Sequence, residues 1–225
     1  MKISLCVPCM DRTYDLKVSL PAMLKSCAES GPCEISLINY NSKDDLDDWI
    51  KTVIVPDNVE LTYRKYTGRD YYHMAHARNL SVLNSTGDYI IIGSADMVPH
   101  YDFVKTVRFM IEANDYVWMQ DMEHKGFIVC RRVEFISAGG YDERFEFYGP
   151  EDRDIALRLF RRGGKFGRIE RGHIDLIRTP KRNKYTNYRP GVSKEEMSRH
   201  GHEIAERNFI KYILEANQGT PWGQW

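Results

Sequence analysis

The stretch that decides the fold of this chain is Gly87-Asp88-Tyr89-Ile90-Ile91-Ile92-Gly93-Ser94-Ala95-Asp96-Met97-Val98-Pro99-His100. A polar turn leads into a short apolar run, and the run ends in small residues followed by Asp96. This order is typical of a buried parallel strand that carries a carboxylate to its C-terminal end. Open α/β sheets bind ligands at that edge, although an aspartate at a strand end is also a common turn former.

Composition excludes several classes of protein. The 225 residues suit one domain with a sizeable core, and 32 lysines and arginines balance 32 aspartates and glutamates. This balance gives no overall field that favours nucleic acid or an anionic membrane. No apolar run approaches a bilayer span, so we expect a cytoplasmic protein, with peripheral association with a membrane left open. The five cysteines, including the pair in Cys6-Val7-Pro8-Cys9, are more typical of reduced core residues than of a redox or zinc site.

Strand and helix patterns alternate in the first part of the chain. Residues 3–7, 34–41 and 59–64 have strand patterns, and residues 13–28 have helical spacing. A second helix is predicted to start at residues 42–46, which are acidic. Strand, helix, strand, helix and strand in succession predict a doubly wound α/β sheet. The dinucleotide fingerprint and the G-x-x-x-x-G-K-[ST] phosphate loop are both missing from the sequence, so a nucleotide would have to be held by other means. Arg12, which follows the first strand, is a candidate contact for a phosphate.

Residues 72–87 have the pattern of a helix that ends at a glycine, and its first half carries His73, His76, Arg78 and Asn79. One interpretation is a solvated helix face. The other is that Arg78 and Asn79, one element before Asp96, contact the same ligand as that carboxylate.

Residues 139–154 form the second informative segment. A glycine pair, an aromatic cluster and a Gly149-Pro150 turn precede Glu151-Asp152-Arg153-Asp154, after which residues 155–162 have a helical pattern. The acids therefore lie in the first turn of a predicted helix, where they could simply interact with the helix dipole. Two carboxylates in one turn near aromatic residues can also raise the pKa of one of them to a value suited to proton abstraction. Both interpretations stay open from these residues.

The C-terminal part has three features. Residues 166–175 are predicted to form a last strand carrying His173, a residue type that is more often structural than a ligand. Residues 178–190 are basic and aromatic, which indicates either nucleic-acid binding or a loop whose cations cover a diphosphate. The neutral chain favours the loop, so we predict no nucleic-acid partner. Ser193 and Glu196 predict a capping box for an amphipathic helix, which packs on the core by default and on a membrane surface as the alternative.

In their order, these motifs resemble the GT-A glycosyltransferases, particularly the inverting nucleotide-sugar family called family 2. The matching motifs are Val7-Pro8, Ala77-Arg78-Asn79 and the strand that leads to Ser94-Ala95-Asp96. Residues 139–152 are similar to the C-terminal catalytic segment of galactosyltransferases and polypeptide N-acetylgalactosaminyltransferases. The resemblance covers residues 2–178 and implies a GT-A fold, that is, a doubly wound, mixed, mainly parallel sheet with flanking helices.

The resemblance implies a metal-dependent inverting glycosyltransferase. Its donor would be a nucleotide sugar, expected to be UDP-linked, and its acceptor a hydroxyl of a saccharide or lipid-linked saccharide. A divalent cation, Mn²⁺ or Mg²⁺, would be held by Asp96 and His173. Asp152 would be the general base, and Glu151 would bind the acceptor or orient the base. The implied donor-binding residues are Pro8, Arg12, Asn39, Arg78, Asn79, Ser94, Ala95 and Asp96.

The chain departs from the family pattern at two places. Ser94 stands where the family has the first aspartate of Asp-x-Asp, and Asn39-Tyr40-Asn41 replaces a pair of aspartates after the second strand. Asp152, where retaining relatives often carry asparagine, favours inversion. A retaining transferase and a non-catalytic nucleotide-sugar or glycan-binding module on the same fold are the alternatives. We place the catalytic domain at residues 1–178 and expect residues 179–225, a basic loop and a C-terminal helix, to pack on it.

Overall fold

Strands and helices alternate along the chain in the computed structural model, which describes residues 1–124, 126–178 and 186–225. The strands are β1 (Ile3–Cys9), β2 (Cys33–Tyr40), β3 (Val59–Tyr66), β4 (Tyr89–Ile92), β5 (Met97–Pro99), β6 (Trp118–Asp121), β7 (Ile128–Arg131), β8 (Phe166–Ile169) and β9 (Ile174–Leu176). The α-helices are α1 (Thr13–Ala28), α2 (Leu46–Trp49), α3 (Met74–Leu83), α4 (Phe103–Asn114), α5 (Arg132–Ser137), α6 (Glu151–Arg162) and α7 (Lys194–Ile210).

Seven of the described strands form one sheet with the order β3-β2-β1-β4-β7-β6-β8. Strand β7 runs antiparallel to its neighbours β4 and β6, and the other neighbouring pairs are parallel. Strands β5 and β9 form a separate antiparallel ribbon. The predicted fold class, a doubly wound, mixed, mainly parallel sheet with flanking helices, is confirmed.

Strand β1 is buried along its whole length because helices cover both faces of the sheet. Successive side chains of a strand point to opposite faces. Leu5 accordingly belongs to an apolar cluster that includes residues of α1 and α4, such as Leu16 and Val104. Cys6 belongs to a second cluster that includes residues of α3, α5 and α6, such as Val82. This two-sided burial fixes the end of β1, and hence the loop that follows it, at the centre of the sheet edge.

Helix α3 is shorter than the predicted helix of residues 72–87. It ends at a right-handed cap, Asn84, so Gly87 is not its C-terminal cap. Gly87 instead allows the chain to pass close to β1, because a Cβ at this position would lie 2.2 Å from Ser4 Oγ. The prediction of a solvated helix face is also wrong, since His73, His76, Arg78 and Asn79 are all buried.

The two histidines at the start of α3 are held by hydrogen bonds inside the protein. His73 accepts a hydrogen bond from the backbone N–H of His76 through Nδ1 and donates through Nε2 to the Glu143 carbonyl oxygen at 3.0 Å. His76 Nδ1 lies 2.9 Å from the Tyr40 hydroxyl. Burial, together with the positive charges of the neighbouring Arg69 and His76, lowers the pKa of His73 to about 3. His73 is therefore a neutral structural residue at neutral pH.

The titration of His73 predicts how stability depends on pH. Its folded pKa lies below its unfolded value, so the unfolded state binds more protons between about pH 6.5 and about pH 3, and stability is lost as the pH falls through this window. His73→Asn keeps a capping side chain and removes the titrating ring. Urea unfolding should show that the loss of stability from pH 7 to pH 5 is smaller in this variant by about 2 kcal/mol. Replacement of the exposed His202 by Asn is the control, and an unchanged pH dependence in His73→Asn would contradict the assignment.

The C-terminal helix is joined to the rest of the domain by specific contacts. The predicted capping box of Ser193 and Glu196 is present at its start. The buried Asn208 of α7 donates to the carboxylates of Asp142 and Asp154 at 2.9 and 2.8 Å. The division at residue 178 stays a prediction, and residues 179–185 of the basic segment lie outside the described residues. Within the described parts of the chain, no helix is both long enough and apolar enough to span a bilayer.

Candidate functional site

A cleft of about 510 Å³ opens at the carboxyl ends of the parallel strands β1 and β4. Its walls include the loop after β1, the turn between β4 and β5, two residues of α3, and the first turn of α6. Of the residues predicted from the sequence, those that line it are Pro8, Arg12, Arg78, Ser94, Ala95, Asp96, Glu151 and Asp152. The fold thus collects donor-binding and catalytic candidates from four separate segments at one edge of the sheet.

Asp96 lines the cleft, and both of its carboxylate oxygens have polar neighbours. Ser94 donates its hydroxyl hydrogen to Oδ1 of Asp96. The Nη2 atom of Arg12 lies 3.7 Å from Oδ2. Arg12 also donates through Nε to Asp15, which is buried in the first turn of α1. The guanidinium of Arg12 is therefore held between a buried carboxylate and the carboxylate that lines the cleft.

Glu151 also lines the cleft and forms a buried ion pair with Arg78. Oε1 of Glu151 accepts a hydrogen bond from Nη1 of Arg78 at 3.0 Å, and Oε2 accepts one from the Gly149 N–H at 3.2 Å. Burial raises the pKa of Glu151 to about 7; the positive charge of Arg78 opposes this rise, and the charge of Asp152 adds to it. The raised pKa expected for one of the two carboxylates is thus found at Glu151.

Asp152 is the more accessible of the two carboxylates. Its Oδ1 accepts a hydrogen bond from the backbone N–H of Arg153 at 2.7 Å. Its Oδ2 points toward Gly126, where an added Cβ would lie only 3.3 Å away. The missing side chain at Gly126 leaves space beside this carboxylate, so a hydroxyl group bound in the cleft can approach Asp152.

Asn39 and Asn79, both predicted to bind the donor, do not line the cleft. Asn39 is fully buried and donates to Asp47 and Tyr63, which hold the end of β2 against α2 and β3. Asn79 is also buried, and its amide exchanges hydrogen bonds with the backbone of Tyr141 in both directions. These two amides position the backbone around the cleft, and their contact with a donor stays a prediction.

His173 is separated from Asp96 along the ribbon of β5 and β9. The predicted strand of residues 166–175 is wrong as a single element, because β8 ends at Ile169 and β9 belongs to the other sheet. Ile177, which donates its N–H to the Asp96 carbonyl oxygen, is the residue opposite Asp96. His173 lies four residues earlier in this extended segment, roughly 13 Å along the strand direction.

A divalent cation at Asp96 would need further oxygen or nitrogen ligands from the protein or the donor. The residues that line the cleft opposite Asp96 are Leu176, Ile177 and Arg178, two aliphatic side chains and a cation. Within residues 1–124, 126–178 and 186–225, no three His, Cys, Asp or Glu side chains are placed to hold a metal ion. The described side chains therefore do not fit the predicted metal pair of Asp96 and His173.

Asn187 and His124 are among the cleft residues that were not predicted as site residues from the sequence. Asn187 donates to the Met10 carbonyl oxygen at 2.7 Å, and its own carbonyl oxygen accepts from the Tyr72 N–H. His124, from the loop after β6, lies with Nε2 3.2 Å from the Ile174 carbonyl oxygen. Asn187 lies within residues 178–190. The sequence predicted only that this basic segment covers a diphosphate. His124 belongs to residues 120–125, a segment that the sequence predicts to be a hairpin or a loop on the acceptor side.

Comparisons with known proteins relate one segment of the chain to a protein family. A protein-family model described as the N-terminal domain of galactosyltransferase matches residues 108–189, a range that contains Glu151 and Asp152. A comparison with curated protein sequences finds no match.

Several solved glycosyltransferase structures have a similar fold. TarS residues 1–349 from S. aureus with UDP-GlcNAc gives a TM-score of 0.68 at 11% identity over 93% of this chain and 73% of that one. Mannosyltransferase PcManGT from Pyrobaculum calidifontis with GDP-Man and Mn²⁺ gives 0.63 at 15% identity over 94% and 71%. The catalytic domain of Drosophila beta1,4-galactosyltransferase 7 with xylobiose gives 0.60 at 16% identity over 88% and 79%. In the UDP complex of TarS 1–349, the matched region is 59% of that chain.

The fold of this chain is that of the GT-A glycosyltransferases, as the resemblance in the sequence predicted. At these low identities the structural similarity establishes the fold, whereas the family match adds a sequence relation for the segment that carries the two carboxylates. Together they agree with the predicted resemblance, a GT-A fold in which residues 108–189 match a galactosyltransferase family model.

Proposed function

We propose that this chain transfers a sugar from a nucleotide-sugar donor to a hydroxyl of a saccharide or lipid-linked saccharide, with inversion at the anomeric carbon. The observation that carries the proposal is that Arg12, Asp96, Glu151 and Asp152 line the same cleft. Structures of similar fold were solved with UDP, UDP-GlcNAc and UDP-Gal, which favours a UDP-linked donor. The mannosyltransferase was solved with GDP-Man, so a guanine nucleotide is the second candidate.

The nucleoside diphosphate of the donor would lie at the Asp96 end of the cleft. Arg12 and Arg178 line this end, and guanidinium groups bind phosphate oxygens through strong charge-assisted hydrogen bonds. The short side chains of Ser94 and Ala95 leave room for the sugar and the diphosphate next to the sheet edge. Positive charge fixed here would stabilise the negative charge that develops on the leaving diphosphate.

The acceptor would lie at the Asp152 end. Asp152 takes the proton of the acceptor hydroxyl, and the hydroxyl oxygen forms a bond to the anomeric carbon. The bond from that carbon to the phosphate oxygen breaks, and its electron pair leaves with the nucleoside diphosphate. Attack from the face opposite the leaving group inverts the anomeric centre. Glu151, fixed by Arg78, positions the first turn of α6 and hence Asp152.

The family resemblance also implies Mn²⁺ or Mg²⁺, and the mannosyltransferase and a galactosyltransferase 7 mutant were both solved with manganese. Such an ion, when bound, supplies positive charge to the diphosphate. No step of the proposal passes through a metal, because the described side chains do not fit the predicted pair of Asp96 and His173.

A screen of nucleotide sugars tests this proposal. At a concentration of about a hundred times its dissociation constant, a donor stabilises the folded protein by about 2.7 kcal/mol. This corresponds to a rise in melting temperature of roughly 5–10 °C for a domain of this size. We expect such a rise with UDP-GlcNAc or UDP-Gal, and a smaller one or none with GDP-Man. Release of free UDP would then separate an enzyme from a binding module, and no response to any nucleotide sugar, with or without Mn²⁺, would refute the proposal.

A further inference from the structure

We propose that Arg12 supplies the positive charge at the donor diphosphate as a fixed part of this chain, so that donor binding and transfer need no divalent cation. This inference rests on the proposed function, since it concerns the diphosphate end of the same cleft. It follows from the way Arg12 is held, from the surroundings of Asp96, and from the two arginines that line the cleft near Asp96.

Arg12 is anchored where a cation for the diphosphate is needed. Its Nε donates to the buried Asp15, which fixes the plane of the guanidinium from behind. Its Nη2 reaches to 3.7 Å from Asp96, and 22% of the side chain is exposed at the cleft. A planar guanidinium that is oriented by one carboxylate loses little conformational freedom when it binds phosphate oxygens. The side chain is therefore prepared for an anionic ligand.

The surroundings of Asp96 disfavour a divalent cation. Its Oδ1 accepts from the Ser94 hydroxyl, and the residues that line the cleft across the ribbon are Leu176 and Ile177. An ion bound to Oδ2 at a typical distance of about 2.2 Å would lie within about 6 Å of Nη2 of Arg12. Two positive groups at that distance repel each other in the partly desolvated cleft. Arg12 therefore competes with a metal for the same carboxylate.

The arginines near Asp96 support the same conclusion. Three arginines and three carboxylates line the cleft, and one of each, Arg78 and Glu151, forms an ion pair. Arg12, paired with Asp15, lies near Asp96, and Arg178 follows Ile177, the residue opposite Asp96. Guanidinium groups at this place can bind a diphosphate directly, whereas a metal site requires further anionic ligands.

The binding of UDP to the purified full chain tests this inference by calorimetry, once in EDTA and once with Mn²⁺. UDP is the probe because it carries the diphosphate and needs no knowledge of the sugar. We expect dissociation constants in the two conditions to agree within about threefold, and Arg12→Gln to weaken UDP binding in EDTA by about 10- to 100-fold. Arg12→Lys keeps the charge without the planar fork and should fall between the two. Arg199→Gln, at an exposed arginine of α7, is the matched control and should bind like the wild type.

A second variant tests the competition between Arg12 and a metal. Combining Ser94→Asp with Arg12→Gln adds a carboxylate and removes the competing cation, so UDP binding by this double variant should become dependent on Mn²⁺. UDP binding by the wild type that requires Mn²⁺ would overturn the inference, and this comparison needs no variant to fold. If neither UDP nor GDP binds in either condition, the proposed function itself fails. The two failures are therefore distinguishable.

Discussion

Asp152→Asn should lower the rate of sugar transfer by about a thousandfold and leave the affinity for the nucleotide-sugar donor unchanged. The substitution keeps the size of the side chain and its acceptor oxygen for the N–H of Arg153, so the first turn of α6 should stay in place. It removes the group that we propose accepts the proton of the acceptor hydroxyl. The effect should therefore fall on turnover, because the proposed position of the donor diphosphate is beside Asp96.

The measurement is release of the nucleoside diphosphate from the donor identified by the thermal screen, with donor affinity measured in parallel. Glu203→Gln, at an exposed carboxylate of α7, is the control for an unspecific effect of removing an acid. Gly126→Ala offers an independent check, since the added methyl would stand 3.3 Å from Asp152 and should hinder the acceptor without changing donor affinity. Normal turnover in Asp152→Asn would exclude this residue as the base.

The fold was predictable because its determinants are local. Buried parallel strands read as apolar runs, and the helices between them have helical spacing, so the order of elements up to β4 follows from pattern alone. The separation of β8 from β9 was not predictable in this way. Ile169 and Ile174 both look like strand residues, and no periodicity tells which sheet each one joins. His173 was consequently predicted to lie within one continuous strand, whereas it lies between β8 and β9.

The site was predictable where polar residues follow the carboxyl ends of neighbouring parallel strands. Residues at the carboxyl ends of β1 and β4 must meet, so Arg12 and Asp96 could be expected to share a ligand. Asn39 also follows a parallel strand, but its amide is occupied by Tyr63, 24 residues further along the chain. A polar residue therefore looks the same in the sequence whether its partner is a ligand or a distant side chain. The buried His73 and its partner Glu143, 70 residues apart, show the same limit.

Arg78→Met should lower the free energy of unfolding by roughly 3–5 kcal/mol at pH 8, because it leaves the carboxylate of Glu151 buried without its partner. Replacing both members of the pair, with Arg78→Met and Glu151→Leu, should restore part of this loss, since two apolar groups leave no buried charge. Urea unfolding of the wild type, the single variant and the double variant measures both effects. Arg131→Met removes a more exposed pair with Asp115 and should change stability little.

The pH dependence of the Arg78→Met effect separates lost charge pairing from lost packing. The folded pKa of Glu151 is already about 7, above its unfolded value near 4.5, and losing Arg78 should raise it further because that guanidinium favours the ionised form. A carboxyl with a raised folded pKa stabilises the protein fully below its unfolded pKa, and this stabilisation is lost as the pH rises through the folded value. Arg78→Met should therefore be more destabilising at pH 8 than at pH 5. A loss of equal size at both pH values would mean that the packing of Arg78 against Tyr141, 5.1 Å from the ring centre, matters more than its charge.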